Sequence, residues 1–185
     1  MIEVQPGDIL LVRNQSTAPL TRMARWAIQL GAWLEGASTT WTHVIVAHHE
    51  DDSGIFWGLE GRPGTVGWCE LAPHLADPVT LTNVHQGKTN AQRALICDAM
   101  LPLIGVAGYD WAAIAADAGI ALAAAAHVAP AWSSLDPWGP RVPGHVVCSS
   151  LADFAYERAG LESPAADRFC TPGDWARLIK DRGWS

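Results

Sequence analysis

Positive charge is scarce in this sequence and nowhere clustered. Its 185 residues hold 12 Lys and Arg against 19 Asp and Glu, a formal charge of -7. A nucleic-acid partner is excluded by that pattern, because phosphate backbones are met by grouped Lys and Arg. An acidic chain also gains nothing from an anionic membrane surface. Cysteine is sparse: Cys69, Cys97, Cys148 and Cys170 stand far apart, with no C-x-x-C pair. A zinc ribbon and a thioredoxin-type motif are thereby excluded, and free thiols in a reducing compartment are expected. The first residues, Met1 to Asp8, lack a basic stretch and a long apolar stretch, so no secretory signal is expected. Uninterrupted long apolar runs are missing too. The alanine-rich stretch Trp111 to Trp132 contains Asp117 and His127. It is expected to be a packed helix rather than an integral membrane span, since alanine contributes little to insertion.

What is present is core-forming material. Hydrophobic residues make up 49% of the chain and charged ones only 17%, enough for one compact domain over 1–185. Asp8 to Arg13 predicts a strand after the Pro6-Gly7 break, and Leu20 to Leu34 places apolar residues at helical spacing. Thr42 to His48, Ile55 to Glu60, Thr65 to Leu71 and Val79 to Val84 predict short strands. Turns are expected at Glu50 to Gly54 and Gly61 to Gly64. Helices are predicted over Thr89 to Ile104, Trp111 to Val128, Cys148 to Ala159 with Gly160 behind it, and Pro172 to Arg182 capped by Thr171. The expected class is α+β, an antiparallel sheet or small barrel packed against helices.

Cys148 holds the strongest chemical position. It opens a predicted helix, where the dipole and unused backbone N–H groups favour thiolate over thiol and could hold an oxyanion. An inert core thiol is the competing possibility. A thiol nucleophile wants an imidazole within hydrogen-bond reach and a third group to orient it. His43 opens a buried strand and is either that base or a satisfied core histidine. Glu60 lies across the predicted hairpin, near His43, as an orienting carboxylate or a solvated edge residue. His48 and His49, beside the acidic Asp51-Asp52 turn, are expected to face water. As strand neighbours they should diverge, too far to converge on one metal ion.

The order of these parts resembles a known group. A Gly-Asp-Ile strand, Thr42-His43-Val44-Ile45-Val46, a strand bearing Glu60, Tyr109-Asp110-Trp111, then Cys148-Ser149-Ser150 before a helix looks like the circularly permuted, NlpC-type branch of papain-like proteins. The lecithin:retinol acyltransferase-like enzymes share the arrangement. The resemblance implies Cys148 as nucleophile, His43 as base and Glu60 at the variable third position. Tyr109, Ser149 and Trp41 are expected at the substrate. It implies no metal and no organic cofactor. Many relatives have Cys-Ser-Glu where this chain has Cys148-Ser149-Ser150, so any role of that glutamate is absent. The implied partner is a peptide or acyl substrate, with cell-wall peptide first. Acyl transfer or thioester hydrolysis on lipids is the alternative, as is a non-catalytic phage module that kept the fold. Location follows as cytoplasmic, or virion-associated if phage-encoded. The loop Trp132 to Trp138 is longer than the group suggests and could lid the cleft or simply pack. Most of the ten tryptophans are expected in the core.

Overall fold

The computed structural model describes residues 3–13, 19–34, 38–62, 65–105, 108–109, 145–164 and 170–185. The helix expected over Trp111 to Val128 and the Trp132 to Trp138 loop lie outside the described residues.

Gly7 takes φ +81, where an L side chain is strained, and its N–H donates to the Ala47 carbonyl at 2.8 Å. That turn launches β1 (Ile9–Val12), whose four residues are all buried. They are buried because the strand is internal, with neighbours on both edges and cover on both faces. The remaining strands are β2 (His43–Glu50), β3 (Phe56–Arg62), β4 (Thr65–Glu70) and β5 (Leu81–Thr82). They form a five-stranded sheet of order β4-β3-β2-β1-β5, antiparallel at every pairing. Asp51 and Gly54, the latter at φ +77, close the β2–β3 hairpin.

Several sequence expectations shift. The strand expected over Val79 to Val84 pairs only at Leu81 and Thr82, because the Asn83 side chain takes the Ile9 N–H at 2.7 Å in place of a ladder carbonyl. β3 runs on through Gly61 to Arg62, so Glu60 does not end it and Gly61 is strand, not turn. A four-residue helix, α2 (Ala72–Leu75), follows β4 and is too short for any periodic signal.

Helix α1 (Pro19–Leu34) joins β1 to β2. Helix α3 (Asn90–Met100) starts in a capping box between Thr89 and Gln92. It stops at Met100 rather than Ile104 because Pro102 lacks an N–H. The chain tightens there into the 3-10 turn Leu101–Leu103. Helix α4 (Cys148–Arg158) ends at Gly160, which takes φ +66, and α5 (Pro172–Asp181) begins in a Thr171–Asp174 capping box. Two-residue strands β6 (Gly108–Tyr109) and β7 (His145–Val146) pair in parallel just ahead of α4.

The sheet is covered unequally. On one face Ile9, Leu11, Val44, Val46 and Leu59 pack with Ile96 of α3, Leu151 and Tyr156 of α4, and Trp175 and Ile179 of α5. The other face holds a small cluster of Leu10, Val12, Ile45, Ala47 and Leu71. Helices gathered on one face of an antiparallel sheet make the class α+β. A buried polar knot ties the ends of this arrangement together. The Tyr156 hydroxyl donates to the Gly7 carbonyl and accepts from Asn83 Nδ2, both at 2.7 Å. Beside it, Asp8 holds Lys88 at 2.9 Å and Arg93 at 2.8 Å. Paired and hydrogen-bonded in this way, the buried charges are satisfied.

Candidate active site

His43 is placed by strand register. The β2–β3 ladder begins at Ile45 opposite Glu60, while Val44 and His43 are laddered only to Leu11 and Val12 of β1. Side chains alternate along a strand, so His43 shares a face with Ile45 and is the diagonal neighbour of Glu60. The ring reaches the carboxylate: His43 Nε2 stands 2.5 Å from Glu60 Oε2. Arg62 Nη1 approaches the second carboxylate oxygen at 3.8 Å.

Cys148 arrives from the far half of the chain as the first residue of α4. Gly61 makes the approach possible. A Cβ at Gly61 would stand 3.1 Å from the Cys148 nitrogen, 3.2 Å from its Cα and 3.3 Å from the Val147 carbonyl carbon. Backbone cannot yield as a flexible side chain can, so only glycine lets strand and helix terminus meet this closely. The cap at Val147 contributes as well. Valine has no side-chain acceptor, so the first-turn N–H groups of α4 have no capping oxygen. Ser150 supplies the reverse half of a capping box, accepting the Val147 N–H and donating to the Val147 carbonyl, both at 3.0 Å.

The sulfur is therefore met by donors. It is hydrogen-bonded to the His43 side chain and to the backbone N–H groups of Val44 and Ser149. Ala47 N–H donates to the Asp8 carbonyl, so the alternate N–H of Val44 points away from β1, toward the gap where the β2–β3 ladder has not yet begun. With Nε2 engaged by Glu60, Nδ1 is the ring nitrogen left for sulfur.

The electrostatics follow. Burial opposes charge on His43, but the Cys148 thiolate and the Glu60 carboxylate outweigh it and push the imidazole up to about 10. Burial alone would raise the Cys148 thiol. The charge and hydrogen bond of His43, with the two backbone donors, bring it below its ordinary value instead. Burial likewise opposes charge on Glu60, and His43, with smaller contributions from Arg62 and His74, holds the carboxyl below its usual range. The three groups form one buried chain of alternating charge: thiolate, imidazolium, carboxylate. The other titrating thiols go the opposite way, with burial pushing Cys69 up to about 12 and Cys97 to about 11.

Access is limited. The Cys148 residue is 1% exposed. An open cleft of about 650 Å³ reaches His43 and Glu60, with His74 of α2 and the Arg13–Asp77 pair further along it, but its lining does not include the sulfur.

The positions expected to contact substrate fare differently. Ser149 turns its hydroxyl to the Cys170 carbonyl and its carbonyl accepts the Trp175 indole N–H at 3.4 Å, so only its backbone N–H faces the sulfur. Trp41 is buried, donates Nε1–H to the Val79 carbonyl at 2.9 Å and lies under Lys180, whose Nζ is 4.7 Å from the ring centroid. Tyr109 pairs with Val146 at the strand leading into α4, and its side chain lies outside the described residues. Sequence reasoning missed Gly61, although a lone glycine inside a strand is the usual mark of close backbone approach.

The expectation that His48 and His49 diverge is corrected. Ala47 opposes Gly58 and His49 opposes Trp57, so His48 is the extra residue of a β-bulge. The kink brings Nδ1 of His48 within 3.1 Å of Nδ1 of His49, and both rings pack edge-on to Trp68. His48 is half-buried rather than solvated. Among the described residues no group of three or more His, Cys, Asp and Glu could hold a metal ion. No family model matches this chain, and no similar curated protein or solved structure was found.

Proposed function

We propose that this chain is a cysteine hydrolase of the permuted papain-like kind, acting on an amide with cell-wall peptide as the first substrate class. In this reading the Cys148 thiolate attacks the carbonyl carbon, and the Cys148 backbone N–H supplies part of the hole for the resulting oxyanion. Imidazolium His43 protonates the leaving amine as the C–N bond breaks, leaving an acyl-thioenzyme. Neutral His43 then takes a proton from water, whose oxygen attacks the thioester and releases the acid and the thiolate. Glu60 holds the ring so that Nδ1 faces sulfur throughout.

The single observation that carries this is the contact chain itself: a 2.5 Å His43–Glu60 bond with sulfur on the other side of the ring. An imidazole clamped between a carboxylate and a thiol, at a helix terminus without a capping oxygen, has no evident packing purpose. The burial of Cys148 favours one alternative, a binding module that kept the constellation without turnover. Peptide-resolved alkylation with iodoacetamide at neutral pH separates them. Reaction at Cys148 well ahead of Cys69, Cys97 and Cys170 supports the hydrolase, and equal or slower reaction at Cys148 supports the module. Cell-wall peptides, acyl esters and isopeptides, each tried with the parent chain, Cys148→Ala and His43→Ala, then identify the bond cleaved.

A further inference from the structure

Helix α1 does not look like a surface helix of an acidic protein. Of its sixteen residues only Thr21, Arg22, Arg25 and Gln29 are polar, and it contains no carboxylate. Its local charge is +2, from Arg22 and Arg25, in a chain whose total is -7. Ile28 and Ala32 supply the buried side. The opposite side should be polar, yet Trp26 is 57% and Trp33 64% exposed, the two most exposed large apolar side chains among the described residues. At 3.6 residues per turn, Arg22, Trp26 and Trp33 fall within about 40° of one another. Arg22 is exposed as well. The outward stripe is thus indole, indole and guanidinium.

From this we infer that α1 docks on an anionic lipid surface, lying in the headgroup layer with Trp26 and Trp33 inserted and Arg22 on the lipid phosphates. Indole favours the boundary between hydrocarbon and water, and a helix with a basic, aromatic face binds there by apolar burial and charge together. At sixteen residues α1 is about 24 Å long, short of the roughly 30 Å hydrocarbon layer, so it lies on the bilayer and does not cross it. Self-association fits less well. A two-fold contact through this stripe would bring Arg22 of each copy into one interface, with no acidic residue on either α1 to pair with it. The whole-chain acidity that argues against such a surface is not distributed to this helix.

The test is flotation of the full chain with vesicles of phosphatidylcholine alone and of an equimolar phosphatidylglycerol mixture. The expected result is binding to the anionic vesicles that weakens with added salt and is much lower on phosphatidylcholine. The double variant Trp26→Ala, Trp33→Ala is expected to lose about tenfold or more in partition. Arg22→Glu should lose about tenfold on the anionic vesicles while changing little on the neutral ones. Circular dichroism checks that each variant is folded, and Arg22→Glu decides the matter should the double variant not fold. Cys148→Ala is expected to float like the parent chain, so this outcome is independent of the hydrolase reading. Absence of binding to either vesicle, or binding that survives both sets of substitutions, overturns the proposal. So does a dimer in sedimentation equilibrium that needs Trp26 and Trp33 while lipid binding is missing.

Discussion

Strand β2 carries histidines at both ends, and the two ends have opposite chemistry. At its start His43 is buried yet pushed up to about 10, because a thiolate and a carboxylate face it. Near its end His48 is only half-buried yet pulled below its ordinary value, by burial first and then by the neighbouring His49. Burial works in the same direction on both rings. What differs is the charge opposite: thiolate and carboxylate prevail at His43, while at His48 the neighbouring imidazole outweighs Asp98, and register sets which groups meet. Regular alternation puts His43 diagonal to Glu60, whereas the bulge at His48 folds a second imidazole against the first. The direction of a histidine's titration is therefore a property of the ladder more than of depth.

The contrast can be broken most severely at His43. His43→Ala removes the one cation hydrogen-bonded to the sulfur among the described residues, so Cys148 reverts to a buried thiol. Its alkylation at neutral pH is expected to fall about a hundredfold, measured by peptide mass spectrometry with Cys69 and Cys97 as internal references. Gly61→Ala should follow. The added methyl meets backbone at 3.1 to 3.3 Å and must separate β3 from the start of α4. Loss of about 1–3 kcal/mol in stability is expected, together with a higher apparent thiol pKa in the alkylation profile. A profile unchanged in pH would refute the placement given to Gly61.

Smaller effects sharpen the comparison. Glu60→Gln keeps a hydrogen-bond acceptor but removes the charge, so His43 should titrate lower and turnover should fall about tenfold. In the parent chain the Cys148 alkylation rate is expected to hold to lower pH than that of Cys69 or Cys97, because His43 and the two backbone donors depress its thiol. If the proposed hydrolase reading holds, turnover should also decline toward pH 10, where His43 would lose the proton assigned to the leaving amine. Least affected should be His48→Ala, with Cys148 reactivity within about twofold of the parent, since no contact among the described residues connects the bulge to the sulfur. Imidazole resonances followed by NMR check the premise directly. His48 should titrate below the usual histidine range, while His43 stays protonated beyond pH 8. Because His48 is depressed in the folded state, its contribution to stability is present above its unfolded value and is lost as pH falls through the folded one.

Much of this was legible in the sequence where the signal is local. Thr171, Gly160 and the Pro6-Gly7 break announce element ends through capping and φ preference, and the Asp51 to Gly54 turn brings Glu60 toward His43 by hairpin arithmetic. The opposed pair His48–His49 was not legible, because a bulge is a property of two strands and no single strand encodes it. Gly61 reads as a turn residue because Pro63 and Gly64 follow it. Its close contact with Cys148 joins segments far apart in the chain, which periodicity does not register. Ser149 and Trp41, named from resemblance, proved to be held by Cys170, Val79 and Lys180.

The hydroxyl of Tyr156 grips the Gly7 carbonyl across 149 residues of chain. Its helix is the one that begins at Cys148, so the most distant clasp described here and the sulfur belong to a single rigid rod. A polypeptide still emerging from the ribosome has His43 and Glu60 long before it has that rod. Until that rod has been made and has docked, there is no depressed thiol to misreact with metabolites or neighbouring chains. Chemical potency thus waits on contacts between distant segments, through contact order alone.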